Sequence, residues 1–175
     1  VRRTEKIDGE NYSWAWNLLD HETRFLIASE VTKHRNIEDA RKVLHEAKQV
    51  ANGQDHDFIV TDKLLAYGKA TTKEFYTIRK PKTEHVKLKN IRDGTNNNIM
   101  ERLNGTKRER DKVLRGMKSE DTPIREGFDI YYNFVRPHQA LFGLTPAEVA
   151  GLDLQLGQNK WLALLKQSLK RKINP

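Results

Sequence analysis

Two carboxylates and a row of bases are the residues of this chain whose types and spacing could do chemistry. Asp62 follows the apolar run Phe58-Ile59-Val60-Thr61, where the end of a strand would fix an acid rigidly with its tip open to a cleft. Glu101 opens the stretch 97–118, which at 100° per residue puts Asn97, Glu101, Arg108, Lys112 and Arg115 on one helix face. A carboxylate that holds a divalent cation, next to cations that hold phosphates, suits phosphodiester chemistry. Each group also has a plain alternative: Asp62 as the N-cap of the segment starting at Lys63, Glu101 as a solvated first-turn acid, and the bases as a face laced with Glu109–Lys112 and Asp111–Arg115 pairs.

The elements that must position these groups alternate in period. Thr4 to Ile7, Tyr12 to Asp20 and Arg24 to Val31 read as three antiparallel strands, with Asp8-Gly9 as the first hairpin turn. Helical spacing then takes over in Ile37, Ala40, Val43, Leu44, Ala47 and Val50, with Asn36 as N-cap and Asn52-Gly53 as stop. Phe58 to Val60 suits a buried parallel strand, Lys63 to Thr72 a helix, and His85 to Leu88 a further strand. On the long helix, Ile99, Leu103, Thr106, Val113, Leu114 and Met117 form the expected packing face, and Gly105 weakens its middle. Thr122-Pro123 starts a helix that Arg136-Pro137 ends, Thr145-Pro146 opens a short one, and Lys160 to Lys172 is a basic amphipathic helix. The expected architecture is a mixed α/β sheet with helices on its faces. Trp14 and Trp16, alternating along a strand, share one core-directed face.

Composition sets outer bounds. The chain has 175 residues, 37% hydrophobic and 32% charged, the balance of a solvated globular protein with a real core. It has no cysteine, so disulfides and thiolate zinc sites are excluded, which fits a reducing cytoplasm. No apolar run reaches the roughly 18 residues of a membrane span. The net charge of +8 is uneven: residues 1–60 hold 9 Lys/Arg against 11 Asp/Glu (−2), and residues 61–175 hold 23 against 13 (+10). A basic second half suits a polyanion such as nucleic acid.

Three segments carry a family resemblance. Phe58-Ile59-Val60-Thr61-Asp62-Lys63, Asn97-Asn98-Ile99-Met100-Glu101-Arg102, and Tyr132 to Leu141 with Thr145-Pro146 resemble the catalytic core of DDE-type transposases and retroviral-type integrases, those of prokaryotic insertion sequences above all. The resemblance implies a ribonuclease H-like fold over residues 1–150: a five-stranded mixed sheet, three antiparallel strands then parallel ones, with helices on both faces. Residues 151–175 form an additional basic helix and tail.

It further implies two Mg²⁺ or Mn²⁺ ions, strand cleavage by water and strand transfer by the freed 3′-hydroxyl. Asp62 matches the family's second acid and Glu101 its third. Arg108 matches a base that contacts transposon-end DNA, with Lys107, Lys112 and Arg115 beside it. The implied partners are transposon-end and target DNA and further copies of the chain, with no membrane, in the cytoplasm of a prokaryote.

The front of the chain departs from the pattern. The family's first acid would fall at or next to Val1, where no acid stands, and Asp8 lies in the turn. Asp20, at the end of the second strand, is the nearest substitute. The expectation is a truncated or decayed core with weak or no catalysis and, with no end-recognising helix-turn-helix ahead of it, weak salt-sensitive DNA binding. The competing reading is a non-catalytic DNA-binding relic of the same fold; a ribonuclease H-like nuclease or resolvase is less favoured. In Arg136-Pro137-His138, the histidine reads as a packing and hydrogen-bonding residue rather than a metal ligand.

Overall fold

The structure, a computed structural model, describes residues 2–6, 12–52, 57–62, 64–75, 83–87, 98–114, 123–152 and 154–173. The chain is mixed α/β and divides into two compact units, Val1–Leu19 with Ile27–Thr122, and Asp20–Leu26 with Pro123–Pro175.

In the first unit, β1 (Arg2–Lys6) pairs antiparallel with β2 (Tyr12–Leu19), Arg3 opposite Trp14 and Lys6 opposite Tyr12. β3 (Leu26–Thr32) completes this sheet on the other side of β2. It begins two residues later than its apolar pattern suggested, because Arg24 takes a left-handed φ of 60° that a strand cannot contain. The Asp8-Gly9 turn lies outside the described residues. β4 (Phe58–Thr61) and β5 (Glu84–Lys87) run parallel, with Ile59 opposite His85 and Thr61 opposite Lys87. Among the described residues the strands therefore form two small sheets rather than one of five strands. β4 buries Ile59 and Thr61 but leaves Phe58 and Val60 exposed, so the strand expected to be buried is covered on one face.

α1 (Ile37–Val50) starts where its cap chemistry dictates. Asn36 Oδ1 accepts from the Asp39 N–H at 2.9 Å while the Asp39 carboxylate accepts from the Asn36 N–H at 3.3 Å. Its Ala40, Val43, Leu44 and Ala47 stripe packs against Ala66, Tyr67, Ala70 and Phe75 of α2 (Leu65–Phe75). Trp16, wholly buried, joins this core. Its ring meets Tyr67 edge-on at 5.6 Å, and its indole N–H donates to Thr32 Oγ1 at 2.7 Å. Each large side chain so buried contributes about 1.5–3 kcal/mol of transfer free energy. Trp14 on the same strand face is half-buried, with the Arg35 guanidinium 4.9 Å from its ring centre.

α3 (Asn98–Val113) runs unbroken through Gly105. Its packing face keeps Leu103 of the expected apolar face but is turned toward Lys107 and Asp111. Leu103, Lys107 and Asp111 are buried, whereas Val113 is 75% exposed and Leu114 also faces solvent. The reason is polar: Lys107 Nζ donates to Asn17 Oδ1 at 2.7 Å and to Ser29 Oγ at 2.9 Å. Ser29 Oγ donates to Asn17 Oδ1 at 3.1 Å, and Asn17 Nδ2 to Asn104 Oδ1 at 3.0 Å. Desolvating an ammonium is costly unless its protons find acceptors, and β2 and β3 supply them.

In the second unit, α4 (Pro123–Ile130) continues through a wide π-type turn (Tyr131–Val135) that ends at Arg136-Pro137. The Asn133 amide clamps the Leu26 backbone in both directions, accepting its N–H and donating to its C=O, each at 2.9 Å. A short 3₁₀ turn (Gln139–Leu141) leads to α5 (Pro146–Val149), capped reciprocally by Thr145 and Glu148. α6 (Lys160–Ile173) stacks Trp161 on Tyr131 at 6.5 Å and ties Lys160 Nζ to Glu148 Oε1 at 2.7 Å.

Lys107→Ala removes the ammonium that donates to both Asn17 Oδ1 and Ser29 Oγ and should cost about 1–3 kcal/mol, read as a lower urea midpoint. An unchanged midpoint would show that the polar network does not hold α3.

Candidate active site

Asp62 stands, half-buried, directly after β4 and before α2. The strand ends there because the polar pair Thr61-Asp62 supplies its own hydrogen bonds. Asp62 Oδ1 accepts the Leu64 N–H at 2.9 Å, an Asx turn that leads into the helix, and Thr61 Oγ1 donates to Asp62 O at 3.0 Å. The helix starts at Leu65, so Asp62 turns the chain ahead of α2 rather than standing at its N-cap. A carboxylate has a second oxygen and further lone pairs, so this bond orients Asp62 without exhausting it.

Around it stand groups that the sequence did not single out. His85 Nε2 lies 2.7 Å from Thr61 Oγ1, in hydrogen-bond contact with the hydroxyl whose direction follows the imidazole tautomer. Burial, and then the neighbouring Lys87 charge, holds the His85 pKa below its ordinary value. Burial raises the Tyr67 phenol far above its ordinary value; the Asp62 carboxylate adds to the rise and Arg35 opposes it. Lys87 and His85 reach α2 at Gly68, where an added Cβ would stand 3.5 Å from Lys87 Nζ and 3.8 Å from His85 Cε1. The parallel register that sets Thr61 opposite Lys87 and Ile59 opposite His85 could have signalled this grouping, but strand pairing is not written in either strand alone.

Glu101 is exposed in the first turn of α3, where an acid also favours the helix dipole. Arg108 and Lys112 are exposed on the same face. Lys112 pairs with Glu109 at 3.0 Å, but both ends are more than half exposed and the pair is screened. Lys107 does not stand with them. Counted among the phosphate-binding bases by sequence, it is turned inward, and its ammonium is spent on Asn17 and Ser29. Arg115 and Val1 lie outside the described residues.

Asp20 closes a turn in the second unit: its Oδ2 accepts both the Thr23 N–H at 2.8 Å and the Thr23 hydroxyl at 2.7 Å. His138 packs as its position suggested, edge-on to Tyr132 at 4.7 Å, with burial lowering its pKa first and Arg136 next. Asp62 and Glu101 offer the hard oxygen donors that Mg²⁺ or Mn²⁺ prefers. Among the described residues no three His, Asp or Glu side chains gather into a metal-holding group.

A family model described as a DDE domain matches residues 5–133. The chain belongs to the DDE-type insertion-sequence transposase family. The matched span contains Asp62, Glu101, Arg108 and Lys112, and it stops short of Arg136-Pro137-His138. No curated protein matches the chain. DDE transposase domains generally use divalent metals, and the family acts on DNA. Among the described residues no helix is long and apolar enough to cross a membrane.

A lowered folded-state pKa means that the neutral His85 is favoured by the fold. Its contribution to stability is complete above about pH 6.5 and is lost as pH falls through the folded value. Urea midpoints measured from pH 7.5 downward should fall below that point, and less steeply in His85→Gln. Identical slopes in the two proteins would remove His85 from the account.

Proposed function

We propose that this chain is the catalytic core of a DNA transposase, built for metal-dependent DNA strand cleavage and strand transfer, with Asp62 and Glu101 as two of its carboxylates. The family match that includes both acids is the observation that carries this reading. The order of elements supports it: three strands in one sheet, a helix, a strand, a helix, a parallel strand and the helix bearing Glu101. In this reading β1-β2-β3 and β4-β5 are parts of one ribonuclease H-like five-stranded sheet spanning the core of residues 1–150.

Bound Mg²⁺ or Mn²⁺, two ions in a complete site, would stabilise charge on the attacking and leaving oxygens of the phosphodiester. The chain's own contribution is positional. The Leu64 N–H holds the Asp62 carboxylate in one orientation, and α3 presents Glu101 followed by Arg108 and Lys112, continuing in sequence to Arg115, along a face that meets the DNA backbone. Partners are transposon-end and target DNA and further copies of this chain, in the cytoplasm and at the nucleoid when DNA is bound.

A second reading, a DNA-binding relic of the same fold without catalysis, draws on Asp20. That residue, the nearest substitute for the family's first acid, has Oδ2 committed to Thr23. The two readings part on one measurement. With Mn²⁺ and transposon-end DNA, the catalytic core nicks the strand, and Asp62→Asn or Glu101→Gln abolishes nicking while binding persists; the relic binds and never nicks. Nicking that survives both substitutions would refute the assignment of these acids.

Arg108→Ala with Lys112→Ala should weaken binding to all sequences alike and lower the slope of log K against log salt by about 2. An unchanged slope in fluorescence anisotropy would move the backbone contacts elsewhere.

A further inference from the structure

Phe142 is 98% exposed and sits at φ 55°, a left-handed backbone conformation that a bulky L residue adopts at a cost in stability. The φ ends the 3₁₀ turn, with the Phe142 N–H donating to Gln139 O at 3.2 Å, but that role belongs to the backbone and does not require an aromatic side chain. The rest of the turn is held by backbone bonds that do not involve its ring. The His138 N–H donates to Leu144 O at 3.0 Å, and His138 O accepts from Leu141 at 2.9 Å and from Gly143 at 3.0 Å; the Leu144 N–H returns to Leu141 O at 3.0 Å. Leu141 is buried beneath the turn, and the Thr145–Glu148 capping box locks its far end. The result is a stiff platform that holds an aromatic ring away from the protein, with Leu144 about half exposed beside it.

The same unit carries a strongly cationic helix. In sequence α6 holds Lys160, Lys166, Lys170, Arg171 and Lys172 and no Asp or Glu. It is tied to the platform's far end through the 2.7 Å Lys160–Glu148 bond, and Lys166 and Lys170 face solvent. A rigid exposed aromatic in the same compact unit as a cationic helix matches the two requirements of unpaired nucleic acid, a π-face for a base and cations for its backbone. An apolar partner surface would satisfy Phe142 but not the lysines, and two copies meeting through α6 would bring like charges together.

We propose that Phe142 is a stacking residue for an unpaired or unstacked DNA base, with α6 supplying the backbone contacts. This rests on the reading of the chain as a DNA transposase and adds to it a recognition element outside the span of the family match.

The test uses the full chain and two DNA probes, a blunt duplex and the same duplex with a single-stranded 3′ overhang carrying 2-aminopurine. The wild-type chain should bind the overhang probe more tightly and quench the 2-aminopurine fluorescence. Phe142→Ala should lose roughly 5- to 100-fold affinity for that probe, keep its affinity for the blunt duplex, and leave the salt slope unchanged. Phe142→Trp should retain the preference. Phe142→Gly should lose it while melting at a higher temperature, because glycine suits this φ, so misfolding cannot explain the loss.

Equal binding of the overhang probe by Phe142→Ala and the wild-type chain overturns the proposal. So does a preference that disappears only because the substitution changes the sedimentation state, which would make Phe142 a contact between copies. A wild-type chain that binds neither probe at low salt would instead sink the transposase reading on which the proposal depends.

Discussion

The first unit depends on one buried cation. Lys107 could not enter the protein unless its ammonium protons were matched, and Asn17 and Ser29 match them from two neighbouring strands. That requirement fixes the rotation of α3 about its own axis. With Lys107 inward, the 3.6-residue period carries Glu101, Arg108 and Lys112 to the opposite, exposed face, and it lifts Val113 out to solvent as well. The exposed face of the helix is therefore decided by a polar interaction inside the protein together with the buried Leu103.

A similar economy governs the end of β4. One short segment, Thr61-Asp62, must terminate a strand, start a helix and present a carboxylate. The backbone N–H of Leu64 does two of these at once: accepting it on Oδ1 turns the chain toward α2 and aims the remaining oxygen. His85 reaches the same segment through the Thr61 hydroxyl rather than through Asp62, so it acts on the backbone that carries the acid. An acid supported in this way is held by its neighbours' hydrogen bonds, the condition under which a ligand keeps its geometry when a metal arrives.

What the sequence made legible follows from the range of each interaction. Caps and breakers act over three or four residues, so Asn36, Thr145 and the stop at Arg136-Pro137 could be placed from the chain alone. β2 and α6 showed in their periodicity. The inward face of α3 did not, because the acceptors of Lys107 lie 78 and 90 positions earlier in the chain, and a lysine on a helix reads as solvated until its partners are known. The grouping of His85 with Thr61 was hidden for the same reason, since it depends on parallel pairing across 24 positions. Arg24 escaped because a left-handed residue in an apolar run carries no compositional mark.

The uneven charge of the chain acquires a physical meaning from these placements. In the first sixty residues, acids outnumber bases, yet several are engaged by the fold: Asp39 in its capping box, Asp20 in its turn, Glu38 with Arg41 and Lys73. An ion pair cancels a base along with its acid, and an acid bonded to a backbone N–H keeps its charge, so these bonds place the acids without changing the net charge. In the later residues, Arg108, Lys166 and Lys170 stand on exposed helix faces, and Lys107 is the basic side chain withdrawn to build the interior. α3 and α6, one in each compact unit, carry these exposed bases.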